Sequence, residues 1–210
     1  ITTGAGADTI VGGAGADIIT AGAGANVITG GLGIDTITLG SAGTSEDVIM
    51  TTGGAVAVDL ITNFTVSEDD LHIDLSDING LTADFALSGA NSALATDATP
   101  TVTSVTVTGA FDFGATTTTD IANLAGATAF SVTTLEAQIE ANGTSGGITS
   151  GDSILVTYDD NTDSYLAMVT ANATEADGDL MADVTVTNLV KFVGVANSAL
   201  LVAADFEIIA

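Results

Sequence analysis

Cysteine, tryptophan and arginine are absent from the 210 residues, and lysine, histidine and proline occur once each, as Lys191, His72 and Pro100. Without cysteine there is neither a disulfide nor a thiolate metal site, so the covalent staple of many extracellular proteins has to be replaced. With one histidine a two-histidine zinc motif is impossible, and His72, within an alternating strand pattern, reads as a solvent-facing strand residue rather than a catalytic base. No apolar run approaches the ~20 residues of a membrane-spanning helix, so membrane insertion is not expected. One base stands against 27 acids, a formal net charge of -26. Such a chain repels phosphate backbones and anionic lipid surfaces, which excludes nucleic acid as a partner and favours cations.

Hydrophobic residues make up 46% of the chain, which argues for a packed fold rather than disorder. Residues 4–38 read GAGADTIVG, GAGADIITA, GAGANVITG and GLGIDTIT, a nonapeptide written four times. A short fixed period means stacked supersecondary units, because one unit alone cannot bury its apolar side. Counted from the residue before each of these glycine starts (Thr3, Gly12, Ala21, Gly30), the sixth position is Asp8, Asp17, Asn26 and Asp35, and the eighth is Ile10, Ile19, Ile28 and Ile37. Glycines hold the second position (Gly4, Gly13, Gly22, Gly31) and the fourth (Gly6, Gly15, Gly24, Gly33), allowing a tight turn with exposed amides and carbonyls. The residues after each acid suit a short strand with its central isoleucine inward. Two repeats then make one coil. Carboxylates stacked about 5 Å apart repel by roughly 3 kcal/mol at an effective dielectric near 20, so the rows require a counterion, and hard oxygen donors favour calcium.

The pattern resembles the calcium-binding G-G-x-G-x-D-x-U-x repeat of RTX (repeats-in-toxin) proteins. The resemblance implies an all-β fold that starts as a parallel β-roll (an RTX solenoid), with Ca2+ between turns two repeats apart. It implies one row of ligands at Asp8, Asn26 and Asp47 and another at Asp17, Asp35 and Asp59, together with the repeat glycines; Asn26 removes one charge, so weaker binding is expected there. Residues 59–78 resemble the segment that closes such rolls, with Asp59, Ile61 and Phe64 as the plug and Asp69 or Asp70 as a further calcium ligand. The stretch Leu39–Met50 is read as a stretched repeat that keeps Asp47 and Ile49. The last residues, SALLVAADFEIIA, resemble the tails of type I secreted proteins, here with Asp205 and Phe206 as the D-F pair; this implies the type I secretion machinery as a partner and an extracellular destination.

The roll is expected to span 1–79 and a β-rich C-terminal assembly or secretion domain 80–210. Within the latter, Thr101–Thr108 reads as a strand with an irregularity near Ser104. Asp120–Leu124 reads as the start of a short helix, and Val132–Ala141 as the best helix, capped by Ser131 or Thr133 with Glu136 closing a capping box. Residues 154–169 read as a hairpin around DDNTD. Asp159, Asn161 and Asp163 imitate the opening of an EF-hand loop, but without the glycine and closing glutamate a turn is favoured. Val184–Val193 reads as a long strand.

The chain is not expected to be an enzyme. Three functions fit: the C-terminal part of a bacterial surface-layer (S-layer) or surface assembly protein, homo-oligomeric or in a lattice; the folding and secretion module of an RTX protease or lipase; or the secretion-proximal end of a large adhesin. In each reading the residues form the C-terminal portion of a longer polypeptide.

Overall fold

The computed structural model describes residues 1–41, 43–50, 58–74, 102–106, 111–112, 121–125, 131–144, 153–172 and 183–209. Seven strands wind through the first third: β1 (Thr9–Ala14), β2 (Ile18–Thr20), β3 (Val27–Leu32), β4 (Thr36–Thr38), β5 (Asp47–Met50), β6 (Asp59–Thr62) and β7 (Asp70–Asp74). They alternate between two parallel sheets. β1, β3, β5 and β7 stack in one and β2, β4 and β6 in the other, with Ile10 opposite Ile28 and Ile19 opposite Ile37, as two repeats per coil require.

The reason is local. Each segment after an acid offers one large aliphatic side chain to the interior and turns its neighbours outward, mostly polar ones but also Val11 and Ile18. Ile10, Ile19, Ile28 and Ile37 are all buried, and Val48, Ile61 and Leu71 continue the column where the nonapeptide has lapsed. Turn glycines make the stacking possible. Gly24 has φ 131° and its absent Cβ would lie 2.2 Å from the Gly6 carbonyl oxygen, so only glycine lets those two turns touch.

Downstream come β8 (Val102–Thr106), β9 (Phe111–Asp112), β10 (Ile121–Ala125), α1 (Val132–Asn142), β11 (Gly143–Thr144), β12 (Ser153–Asp159), β13 (Ser164–Ala171), β14 (Val184–Val193) and β15 (Phe206–Ile209). Their pairing joins them to the roll. β14 lies parallel against β6, and β13, β12, β10 and β8 extend that sheet to eight strands; β15 lies parallel against β7 as the fifth strand of the other. Both sheets therefore run across the boundary expected at residue 79. Phe64 does not end the roll: its ring centroid is 4.7 Å from that of Phe192 in β14, and Phe192 meets Phe206 edge-on at 6.5 Å, so a coil contributed by the last quarter of the chain covers it.

Several local expectations change. Residues 121–125 form a strand, not a helix, paired on one side with β8 and on the other with β12; ladder bonds on both edges outweigh a weak local preference. β8 pairs with β10 without a break at Ser104, and the irregularity of the sheet falls between Leu166 and Ala167. Helix α1 buries Leu135 and Ile139, and of the two expected caps Ser131 forms it, exchanging backbone-to-hydroxyl bonds of 2.8 and 3.3 Å with Thr134 rather than involving Thr133. Glu136 does not fold back. Its carboxylate accepts from Val186 N–H at 2.9 Å and that of Glu140 from Val184 N–H at 3.3 Å, covering backbone of β14 before it reaches β6. The hairpin of β12 and β13 is present, with Tyr158 opposite Tyr165. Its turn consumes the EF-like acids: Asp159 accepts from Asn161 N–H at 3.1 Å and from Ser198 N–H at 3.0 Å, and Asp163 pairs with Lys191 at 2.7 Å. The sequence also suggests a short strand around Phe85 and Leu87; these residues, Leu75, Phe113 and the acidic residues 175–179 lie outside the described residues.

Candidate metal centre

The turns of the roll form two rows on opposite edges. Turns that carry the chain from the β1 sheet to the β2 sheet hold Asp17, Asp35 and Asp59. Turns that return it hold Asn26, Glu46 and Asp69, with Asp8 before β1 and Asp205 before β15. Strand register decides membership. Val27 stands opposite Asp47 and Asp47 opposite Asp70, so Glu46, one residue earlier, is the rung above Asn26, and Asp69 the rung above Glu46.

Asp47 therefore leaves the row that the resemblance implied. It begins β5 on the outer face, its carboxylate 3.8 Å from His72 Nε2, and Val48 and Met50 rather than Ile49 point inward. The physical reason is the stretched turn: buried Glu46 reaches the interior of the edge because its extra methylene spans the longer loop. Asp70 likewise lies on the strand rather than in the turn; burial raises its pKa, Asp47 adds to the rise, and His72 opposes it. His72 is partly covered, 3.2 Å from Glu207.

In the first row Asp35 and Asp59 are each bound to the turn below by one oxygen. Asp35 Oδ1 accepts from Asp17 N–H at 2.8 Å and Asp59 Oδ1 from Asp35 N–H at 2.8 Å, so these three residues stack as expected. The second oxygens differ. Asp17 Oδ2 and Asp35 Oδ2 are buried and have no hydrogen-bond partner. A buried anionic oxygen without a donor costs several kcal/mol in principle, because nothing replaces the water it lost. At Asp59, burial raises the pKa to about 6; the Asp35 N–H bond pulls it down and the Asp35 charge pushes it up again.

This donor set fits a calcium ion. No group of three carboxylate or imidazole side chains converges among the described residues, so the remaining oxygens of a six- to eight-coordinate site would come from the main chain of glycine-rich turns, as hard cations accept. Gly13 and Gly15 precede Asp17, and Gly31 and Gly33 precede Asp35, all four at positive φ. Position one of these repeats is also constrained: a Cβ on Gly30 would lie 2.3 Å from Asp35 Oδ2, and one on Gly12 would lie 2.9 Å from Asp17 Oδ2. The carboxylates occupy the space a side chain there would fill.

The other row meets more protein donors, although two of its carboxylates face each other: burial and then the Asp69 charge raise the Glu46 pKa, against the bond from Gly40 N–H. Asn26 Oδ1 accepts from Asp8 N–H at 3.0 Å. Glu46 Oε1 accepts from Gly40 N–H at 2.8 Å. Asp69 accepts from Glu46 N–H at 3.1 Å through one oxygen and from Thr65 N–H at 2.7 Å through the other. Gly4, Gly6, Gly22 and Gly24 form the turns of this edge. In the sequence Glu46 reads either as an extra ligand beside Asp47 or as a solvated acid; the structure buries it and gives it the rung itself. Asp205 was not legible as a member.

Residues 2–37 match the model of the RTX calcium-binding nonapeptide repeat, in four copies. No curated protein and no solved structure matches the chain. The chain thus carries RTX repeats, known calcium-binding motifs, at its N-terminal end. Strands of those repeats stack in parallel as a roll demands, within a strand-rich fold that has one α-helix among the described residues.

Proposed function

We propose that the protein is a calcium-dependent extracellular structural protein, the C-terminal part of a bacterial surface-layer or surface assembly protein exported by type I secretion, with no catalytic role of its own. One observation carries the calcium dependence: stacked turn carboxylates whose second oxygens are buried without a donor. Where calcium is scarce this row repels itself and the chain resists compaction. Where calcium is abundant, binding free energy becomes folding free energy. Export in an unfolded state and folding at the cell surface follow from that difference. Assembly is supported by an acidic chain, net charge -26, whose neighbouring copies divalent ions would bridge.

A second reading, the folding and export module of a longer RTX hydrolase or adhesin, is favoured by the way the D-F tail is built into the roll: Phe206 is buried opposite Leu71. Circular dichroism with and without chelator tests calcium-coupled folding; unchanged β content in excess chelator overturns it. Negative-stain microscopy with calcium separates the two readings, since sheets or filaments support assembly and dispersed particles support the module.

A further inference from the structure

Asn26 is the one rung of the nonapeptide that lacks an acid, and its amide settles its own orientation. Oδ1 accepts from Asp8 N–H at 3.0 Å, as Asp35 Oδ1 accepts from Asp17 N–H, so Nδ2 must take the other branch. There it donates to the carbonyls of Gly22 at 3.2 Å and Gly24 at 3.0 Å and approaches Glu46 Oε1 at 3.4 Å. Two turn carbonyls and a carboxylate from the next coil are the oxygen donors a hard cation would collect. Here they converge on an N–H2 group carrying partial positive charge.

We infer that the side-chain amide of Asn26 stands in for a calcium ion, so that its rung is sealed without metal and calcium is taken up along the opposite edge, at Asp17, Asp35 and Asp59. The inference rests on the calcium reading above and specifies where it operates.

Three features separate the edges. Every buried carboxylate oxygen without a partner among the described residues, Asp17 Oδ2 and Asp35 Oδ2, lies on the Asp17 edge. On the Asn26 edge both Asp69 oxygens accept backbone N–H groups, and Asp205 does the same with Ser67 and Val202. The first repeat position differs in step: it is Gly12 and Gly30 where the carboxylate needs that volume, but Ala21, with its methyl buried, in the Asn26 turn. Only an uncharged donor suits Asn26, because a carboxylate there would face Glu46 and two carbonyl oxygens with no proton between them. The same substitution on the other edge would supply the missing donor.

The test counts ions. Bound calcium is measured by isothermal titration and by native mass spectrometry on the wild type, Asn26→Asp and Asp35→Asn, with circular dichroism at saturating calcium establishing that each is folded. The expected result is one additional ion in Asn26→Asp and at least one fewer in Asp35→Asn. An unchanged count in either folded variant overturns the inference. Wild-type protein that binds no calcium overturns the underlying calcium reading instead. Should a variant fail to fold, the wild type decides: the Asn26 side-chain NH2 resonances should stay protected from solvent exchange and shift little on adding calcium, whereas their exposure on loading would mean the metal displaces the amide.

Discussion

The backbone N–H of Ser67 donates to Asp205 Oδ1, joining residues 138 positions apart, and the other Asp205 oxygen accepts from Val202 N–H at 2.6 Å. Asp205 is wholly buried, and Phe206 follows it into the stack opposite Leu71. The tail that resembles an export signal is thus also the last coil of the roll.

Phe206→Ala should therefore destabilise the calcium-loaded fold by about 3–5 kcal/mol, the usual cost of emptying a buried phenylalanine site. Asp205→Ala should cost about 1–3 kcal/mol by stranding two backbone donors. Urea denaturation in saturating calcium checks both. A change below 1 kcal/mol for Phe206→Ala would mean that β15 does not cap the roll.

Gly30→Ala should impair calcium uptake, whereas Gly4→Ala should not. A Cβ at Gly30 meets Asp35 Oδ2 at 2.3 Å, and one at Gly4 meets nothing within 4 Å. Calcium titration should show affinity falling about tenfold or more for the first, equivalent to ~1.4 kcal/mol, and within about threefold of wild type for the second. Equal effects would count against Asp35 as a ligand.

The two tyrosines, the only ones in the chain, should titrate late. Their rings stack at 4.9 Å; Tyr158 OH donates to Asn188 at 2.7 Å and Tyr165 OH to Asp160 at 2.9 Å. Burial pushes Tyr158 up to about 12, and burial together with the bond to Asp160 raises Tyr165. A phenol whose folded pKa exceeds its unfolded value near 10 binds its proton more tightly when folded. Stability is then fully present below pH 10 and is lost as pH rises toward 12. With no tryptophan, ultraviolet absorbance at alkaline pH follows both groups directly. Tyrosinate appearing with a midpoint at 10 while the fold is intact would refute the burial of this pair.

Lys191 should matter more than an exposed lysine. Its ammonium pairs with Asp163 at 2.7 Å and sits 5.6 Å from the centre of the Tyr165 ring; the bond to Asp163, foremost, raises its pKa, against burial. Lys191→Met leaves Asp163, itself buried, with Gly194 N–H as its remaining donor at 2.7 Å. A loss of about 1–3 kcal/mol at pH 7 is expected in thermal or urea unfolding, against the ±0.5 kcal/mol typical of surface changes.

Much of the roll was readable from residue order, because its interactions are periodic. Acids at 8, 17 and 35 and isoleucines at 10, 19, 28 and 37 recur every nine residues, and a coil of two repeats brings like positions together. Legibility ended where the period broke. Glu46 and Asp47 are adjacent acids before a strand, and choosing between them required knowing which residue of β5 faces Val27. Asp120–Leu124 carried a helical look that sheet pairing overrode.

What the nonapeptide determined by itself was the coil, its inward isoleucines and two edges rich in turn oxygens, since each follows from contacts within a span of eighteen residues. Tertiary structure alone decided which edge lacks donors, where Asn26 sends its amide, and that β14 and β15 return to finish the stack. Those outcomes depend on register between segments far apart in the chain, and a one-residue shift exchanges the inward and outward faces of a strand.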